Sequence, residues 1–197
     1  MAQTLREARR RFFVDSGFAA DGGYDDAWQD ARFGPVPYAV PNPGVRKAAL
    51  RVHDLHHPLT GYAADWRGEA QISAWELGSG GGGRYPYAWF IALFGFVTGL
   101  LGLPGATWRA FVRGRRSRNL YREADPMRRL DAPLSGIRAE LAVSRRRLGT
   151  VALFTLWAMA GLLGSVFFVL GIPVLVAAGL LRRGMPCMRC PLSCASH

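Results

Sequence analysis

The chain has 197 residues, half of them hydrophobic, and a formal net charge of +11. This length indicates one domain with short appended segments rather than several domains. The positive charge is concentrated in residues 109–148, which carry twelve arginines and four acidic residues between two apolar stretches. A basic block beside an apolar stretch is typical of contact with anionic lipid. Because no nucleic-acid-binding motif accompanies it, we expect an anionic membrane surface, and no nucleic acid, as a partner.

Residues 1–40 are predicted to form an irregular N-terminal segment. The stretch 14–44 is rich in glycine, aspartate and proline, which favour turns and loops. The first residues are basic but lack the apolar core of a secretory signal peptide.

A helical domain is predicted over residues 41–148. Its first helix has Asn42 as a candidate N-cap and Pro43 at the first helical position, where the missing N–H was unpartnered anyway. Pro58 removes a donor and clashes with the carbonyl four residues earlier, so we expect the helix to end near His57.

A second helix, "WRGEAQISAWEL", is predicted after the short connection "PLTGYAAD", with Asp65 as its N-cap. The glycine-rich run 78–83 should end this helix and act as a flexible linker. Further helices are predicted in the arginine-rich segment 108–124 and, after a turn, in "PLSGIRAELAVSRRR".

Two apolar stretches bear on membrane contact. The first, 87–105, is slightly short for a spanning helix, so it is predicted either to span or to be a buried helix of the core. The second, 148–181, contains no charged residue and predicts a transmembrane segment over 149–183. This segment is long for one crossing, and Pro173 allows either a kinked helix or a helical hairpin.

Orientation depends on how many of these stretches cross. If both cross, residues 109–148 are cytoplasmic and the histidine-rich segment is outside. If only the second crosses, residues 1–148 stay together in the cytoplasm, and we favour this arrangement at the inner (cytoplasmic) membrane. A tail, 184–197, follows and contains the three cysteines Cys187, Cys190 and Cys194. Their clustering in the last eleven residues argues against a disulfide framework for the fold.

Three of the four histidines lie in "HDLHH", 53–57. At about 100° per residue, His53, Asp54 and His57 share one arc of the predicted helix, whereas His56 lies outside it. Imidazoles at i and i+4 can bind one metal ion from a single face. Glu69 reaches this arc if the two helices form an antiparallel hairpin. Two imidazoles and two carboxylates suit a divalent ion, although a polar helix end without a metal is the alternative interpretation.

Known motifs narrow this interpretation. Zincin proteases have Glu where this chain has Asp54, and HD-type phosphohydrolases need an earlier histidine, but none precedes His53. The pattern His-Asp-x-x-His, eleven residues, then Glu is met by His53, Asp54, His57 and Glu69. In this motif, and in "LTGYAADWRGEAQISAWEL" and "PLSGIRAEL", the chain resembles the coenzyme Q biosynthesis protein 4 family over roughly residues 41–143.

The resemblance implies an all-α, membrane-associated protein that holds zinc or another divalent ion at the four motif residues. It implies a decarboxylase of ubiquinone biosynthesis, which removes the ring carboxylate of a polyprenylated hydroxybenzoate, with hydroxylation of the same carbon. Tyr62 and Thr60 are candidates for positioning the substrate. Other quinone-biosynthesis proteins are expected partners, and a homo-oligomer is also considered.

We therefore predict an all-α fold, in which a helical domain contains a metal-binding helix–turn–helix and a transmembrane helix or helical hairpin follows. Two other functions remain open. One is a non-catalytic scaffold that organises quinone-biosynthesis enzymes at the membrane. The other is a membrane metallohydrolase or protease, in which Asp54 would be a general base rather than a metal ligand.

Overall fold

The computed structural model describes residues 2–33, 36–143, 149–165 and 177. The described chain is mostly helical, which confirms the predicted all-α character, and its strands form one two-stranded sheet. The elements in chain order are α1 (Leu5–Asp15), β1 (Trp28–Phe33), β2 (Val36–Pro41), α2 (Gly44–Thr60), α3 (Trp66–Ser79), α4 (Pro86–Gly102), α5 (Pro104–Arg115), two 3-10 turns (Leu120–Arg122 and Pro126–Asp131) and α6 (Leu134–Leu141). Residues 150–165 are also helical.

The prediction of an irregular segment over residues 1–40 was wrong. Helix α1 begins with a reciprocal capping box, in which Thr4 accepts from the Glu7 N–H and Glu7 accepts from the Thr4 N–H. Strands β1 and β2 then form an antiparallel hairpin, with Trp28 opposite Pro41. The Thr-x-x-Glu pattern before an apolar position was a readable helix signal that the composition of the segment obscured.

Helix α2 begins and ends differently from the prediction. Asn42 does not cap it, because its amide donates to the carbonyls of Gly23 and Asp26 and thereby ties the N-terminal segment to the helix start. The helix also continues through Pro58 to Thr60 and ends at Gly61, whose φ of 80° provides a left-handed C-cap.

Pro58 is tolerated because it lies in the last turn of α2, where only one intrahelical hydrogen bond is lost. The free carbonyls of this turn find a distant partner, since Arg138 of α6 donates to the carbonyls of Pro58 and Leu59 at 2.6 and 3.1 Å. The C-terminal end of α2, which carries the histidines, is thus fixed from α6.

Helix α3 lies at the centre of the molecule, and most of its residues are buried. Asp65 is its N-cap, as predicted, and accepts from the Gly68 N–H at 2.7 Å. Neighbouring helices approach it closely through glycines. A Cβ added at Gly95 of α4 would lie 2.1 Å from Ser73 Oγ, and one at Gly114 of α5 would lie 2.2 Å from the Trp75 carbonyl oxygen.

The glycine run after α3 is a packed turn rather than the predicted flexible linker. Gly81 and Gly82 are buried, and a Cβ at Gly81 would lie 2.0 Å from the Trp89 ring. The Trp89 indole N–H donates to the Gly83 carbonyl at 3.0 Å. Glycine is needed here because the indole lies directly on the backbone.

Two hydrophobic clusters hold the helices together. The first joins α1, α2 and α6 around Leu55, Tyr121 and Ile137. The second joins α3, α4 and α5 around Phe96 and Phe111, and Phe154 of the helical stretch 150–165 packs edge-on against both rings at 5.2 Å.

No helix in the described ranges is both long enough and apolar enough to cross a membrane. The stretch predicted as either spanning or core forms α4, which has 17 residues and buries Ala88, Ala92 and Phe96. Residues 166–176 and 178–183 of the predicted transmembrane segment, and the whole cysteine-containing tail, 184–197, lie outside the described residues.

Candidate metal centre

Helices α2 and α3 bring two imidazoles and one carboxylate together. His53 and His57 lie one turn apart on α2, and their Nε2 atoms are 3.3 Å from each other. Glu69, in the first turn of α3, places one carboxylate oxygen 3.2 Å from His53 Nε2 and the other 3.4 Å from His57 Nε2. The structure thus forms a cluster of three candidate metal ligands, His53, His57 and Glu69.

The other ring nitrogens fix how the two imidazoles face the cluster. His57 Nδ1 lies 3.0 Å from the Tyr62 carbonyl oxygen, which can only accept, so Nδ1 carries the hydrogen. His53 Nδ1 lies 2.9 Å from Glu76 Oε1. With the hydrogen on Nδ1, each ring would offer its Nε2 atom to a metal ion in the cluster, which is the arrangement that metal-binding histidines need.

The electrostatics of the cluster favour a bound positive charge. Burial would lower the pKa of His53, but the facing carboxylates of Glu76 and Glu69 raise it well above its usual value. Burial would raise the pKa of Glu69, but hydrogen bonds to His53 and His57 lower it well below its usual range. A carboxylate and two imidazoles in contact retain a proton or a metal cation at their centre.

Asp54, the fourth predicted ligand, lies beside the cluster but outside the three-residue group. Its carboxylate accepts a hydrogen bond from the Tyr24 hydroxyl. Burial raises the pKa of Asp54. The pKa of Tyr24 is raised well above its usual value, mainly by burial and then by the nearby charge of Asp54. Sequence reasoning missed Tyr24, because it belongs to the segment expected to be irregular.

His56 points away from the cluster, as its angular position predicted. It is fully buried and lies 2.7 Å from Glu76 Oε1, while its Nε2 accepts from the Leu120 N–H at 3.0 Å. Glu76, which sequence reasoning also missed, is fully buried. The available signal was its position seven residues after Glu69, which places both on one face of α3.

Tyr62 and Thr60, the two candidates for positioning a substrate, instead make hydrogen bonds that involve backbone carbonyls. Tyr62 holds His57 through its carbonyl, whereas its ring lies under the Arg113 guanidinium and packs on the second hydrophobic cluster. The Thr60 hydroxyl donates to the His56 carbonyl at 2.7 Å. Phe12 of α1 stacks on the His57 ring, with ring centroids 4.4 Å apart, and so covers that side of the cluster.

A cavity of about 400 Å³ opens from the cluster between α2, α3 and α4. His53, Asp54 and Glu69 form part of its wall. Most of the remaining wall is apolar and includes Leu50, Trp66, Ala70, Ile91 and Phe94. A cavity of this size and character can enclose the reacting end of an apolar ligand beside a few polar groups.

No model of a known protein family, no curated protein and no solved structure matches this chain. Chemically, the site combines candidate ligands for one cation with an adjoining apolar cavity. Such an arrangement can bind an oxygen-bearing group of an otherwise apolar molecule.

Proposed function

We propose that this chain is a metal-dependent enzyme whose ion is held by His53, His57 and Glu69. This proposal is based mainly on one observation. The Nε2 atoms of the two histidines lie 3.3 Å apart, and each lies 3.2–3.4 Å from a Glu69 carboxylate oxygen. Two ligand atoms that each lie about 2.0–2.1 Å from a tetrahedral zinc ion are about 3.3 Å apart. This agreement supports zinc, and three protein ligands leave a position for substrate or water.

The cavity supports an apolar substrate with one polar end. Leu50, Ile91 and Phe94 offer hydrocarbon contacts, whereas the cluster lies at a polar part of the same wall. The substrate class that fits both this wall and the motif is a polyprenylated hydroxybenzoate, with its carboxylate and phenol toward the cluster and its prenyl chain along the apolar wall. A divalent ion there would supply positive charge to the substrate's carboxylate or phenolate oxygens.

The proposed reaction is decarboxylation of the ring. The bond between the ring carbon and the carboxylate breaks, carbon dioxide leaves, and the electron pair remains on the ring. That carbon then takes up a proton from water. Asp54, which lines the cavity and accepts from Tyr24, is placed to relay a proton at its Oδ2 atom.

The same proposal places the protein at a membrane, because a polyprenylated substrate partitions into lipid. Apolar side chains near the cavity are partly exposed, including Trp66 at 52% and Phe94 at 46%. Partner proteins of quinone biosynthesis belong to the proposal as the suppliers and acceptors of this lipid.

The test is carbon dioxide release by the purified full-length chain, loaded with zinc in detergent or vesicles. The substrate is a short-chain prenylated 4-hydroxybenzoate that carries an isotope label in its carboxylate, with and without dioxygen. We expect labelled carbon dioxide from the wild type and at least a 100-fold lower rate from Glu69→Gln. The Glu140→Gln variant, which alters an exposed salt bridge to Arg129, is the matched control and should keep its activity.

In cells, deletion of the gene should cause the ring-carboxylated prenyl intermediate to accumulate, as measured by mass spectrometry. Normal quinone levels without this intermediate would contradict the proposal. Normal quinone levels in a His57→Ala strain, together with loss of quinone on deletion of the whole gene, would instead establish a scaffold role.

A second candidate, a metallohydrolase, is favoured by one observation: Asp54 lies in the cavity wall outside the ligand group, where a general base is required. Asp54→Asn should then abolish hydrolysis of a labelled ester or peptide while zinc stays bound. The absence of any hydrolytic activity in the zinc-loaded wild type would exclude this candidate.

A further inference from the structure

The carboxylate of Glu76 lies behind the metal centre, on the opposite side of His53 from the cluster. Its side chain is completely buried, and its Oε1 atom is 2.9 Å from His53 Nδ1 and 2.7 Å from His56 Nδ1. One oxygen atom thus contacts two imidazoles. Because the Nδ1 and Nε2 atoms of an imidazole face opposite ways, Glu76 cannot share the cluster's ion and touches it only through His53.

A backbone amide fixes the direction of the hydrogen bond between His56 and Glu76. The Leu120 N–H can only donate, so the His56 Nε2 that receives it carries no hydrogen. His56 must then carry its hydrogen on Nδ1 and donate it to Glu76. The same Oε1 atom lies 2.9 Å from His53 Nδ1, so one carboxylate oxygen is placed to accept from both rings.

The surroundings hold this carboxylate in one place. Trp75 and Tyr121 pack edge-on against the His56 ring, with centroids 5.2 and 4.9 Å away. The Asn119 amide donates to the Glu76 carbonyl at 3.2 Å, to Ser79 Oγ at 3.1 Å and to the Gly81 carbonyl at 2.9 Å. The backbone that carries Glu76 is therefore fixed by the same 119–121 turn that fixes His56.

We propose that Glu76, held by His56 and the 119–121 turn, is a positioning residue that sets the tautomer and ring orientation of His53 for metal binding. This inference rests on the metal site of the proposed function, but not on the reaction. A carboxylate that accepts from the far nitrogen of a metal-binding histidine increases the basicity of the ligand nitrogen and holds its ring in place. His56, which the motif spacing leaves out of the cluster, thereby gains a role.

The first test is the zinc affinity of the full-length Glu76→Gln variant, measured by competition with a fluorescent chelator at fixed pH. We expect the affinity to fall about 10- to 100-fold relative to wild type. Glu140→Gln, an exposed glutamate changed in the same way, should bind zinc like wild type. Unchanged zinc affinity in Glu76→Gln, with or without a lower melting temperature of the metal-free protein, would overturn the inference.

The second test does not require the variant to fold. Nitrogen-15 NMR of the wild-type imidazoles, with zinc bound, should show His53 with a protonated Nδ1 and a zinc-bound Nε2. A zinc-bound or unprotonated Nδ1 would overturn the inference. Neither test measures turnover, so an intact metal site with no decarboxylation would contradict only the proposed reaction, whereas a wild type that binds no zinc would contradict the metal centre and this inference together.

Discussion

At the scale of single residues, each group around the cluster has a separable role. His57 is held on three sides, by the Tyr62 carbonyl, by the Phe12 ring and by its contact with His53. His57→Ala removes a candidate ligand together with all three contacts. We expect zinc affinity to fall by more than about 100-fold, a larger loss than a supporting residue causes, in the same chelator competition.

Asp54 gives a sharper prediction, because the sequence motif and the structure place it differently. The motif makes it a ligand, whereas in the structure its carboxylate is engaged by the Tyr24 hydroxyl. We expect Asp54→Asn to retain zinc stoichiometry and to lose less affinity than Glu69→Gln. A loss equal to that of Glu69→Gln would show that Asp54 leaves Tyr24 and binds the ion.

At the scale of helices, the cavity wall depends on how closely α4 approaches α3. A methyl group at position 95 would lie 2.9 Å from Ser73 Cβ and 3.2 Å from the Glu69 carbonyl oxygen, so it would push α4 away from the turn that carries Glu69. We expect Gly95→Ala to destabilise the protein by about 1–3 kcal/mol, as overpacked cores do. Denaturant unfolding with a fluorescence readout measures this.

A matched control exists for this substitution. Gly136 lies within helix α6 with no atom within 4 Å of a built Cβ, so Gly136→Ala meets no obstacle. We expect it to be neutral or to stabilise by about 0.4–1 kcal/mol, because alanine restricts the unfolded chain. Equal effects of the two substitutions would contradict the close α3–α4 contact.

The helices also show which structural signals are local. The Asp65 cap and the spacing from His53 to Glu69 lie in one short stretch, so the sequence predicted the hairpin and three cluster residues. The continuation of α2 through Pro58 was not predictable from that stretch, because it depends on Arg138, eighty residues away. The packed glycine turn was missed for the same reason, since the ring that covers it belongs to the next helix.

Glu76 illustrates the limit for the site. Its position on the face of Glu69 was readable, but a glutamate on a helix face is ordinarily solvated. In the structure it is buried and contacts two imidazoles, and Leu120 and Tyr121, from another part of the chain, hold one of these rings, that of His56. The position of Glu76 on its helix was therefore predictable from the sequence. Its burial against His53 and His56 was not, because that depends on residues distant in the chain.

At the scale of the whole molecule, metal binding should stabilise the fold, because the ligands come from two helices and their supports from several more. At a free zinc concentration about 100 times the dissociation constant, binding contributes about 2.7 kcal/mol. For a chain of this size we expect the melting temperature to rise by about 5–10 °C over chelator-treated protein. Differential scanning calorimetry measures the shift.

The control for this shift is a variant that lacks two ligands, His57→Ala with Glu69→Gln. Its melting temperature should not respond to zinc. A zinc-dependent rise of similar size in this variant would place the stabilising ion elsewhere in the chain.

The Leu120 N–H donates to His56 Nε2, so this backbone amide is a probe of the ring behind the candidate metal centre. This amide belongs to a 3-10 turn, so its main acceptor is a side chain rather than a helix ladder. Its hydrogen-exchange rate therefore reports whether the imidazole is in place. Exchange of this one backbone proton therefore reports on the ring that contacts Glu76 beside the candidate metal centre.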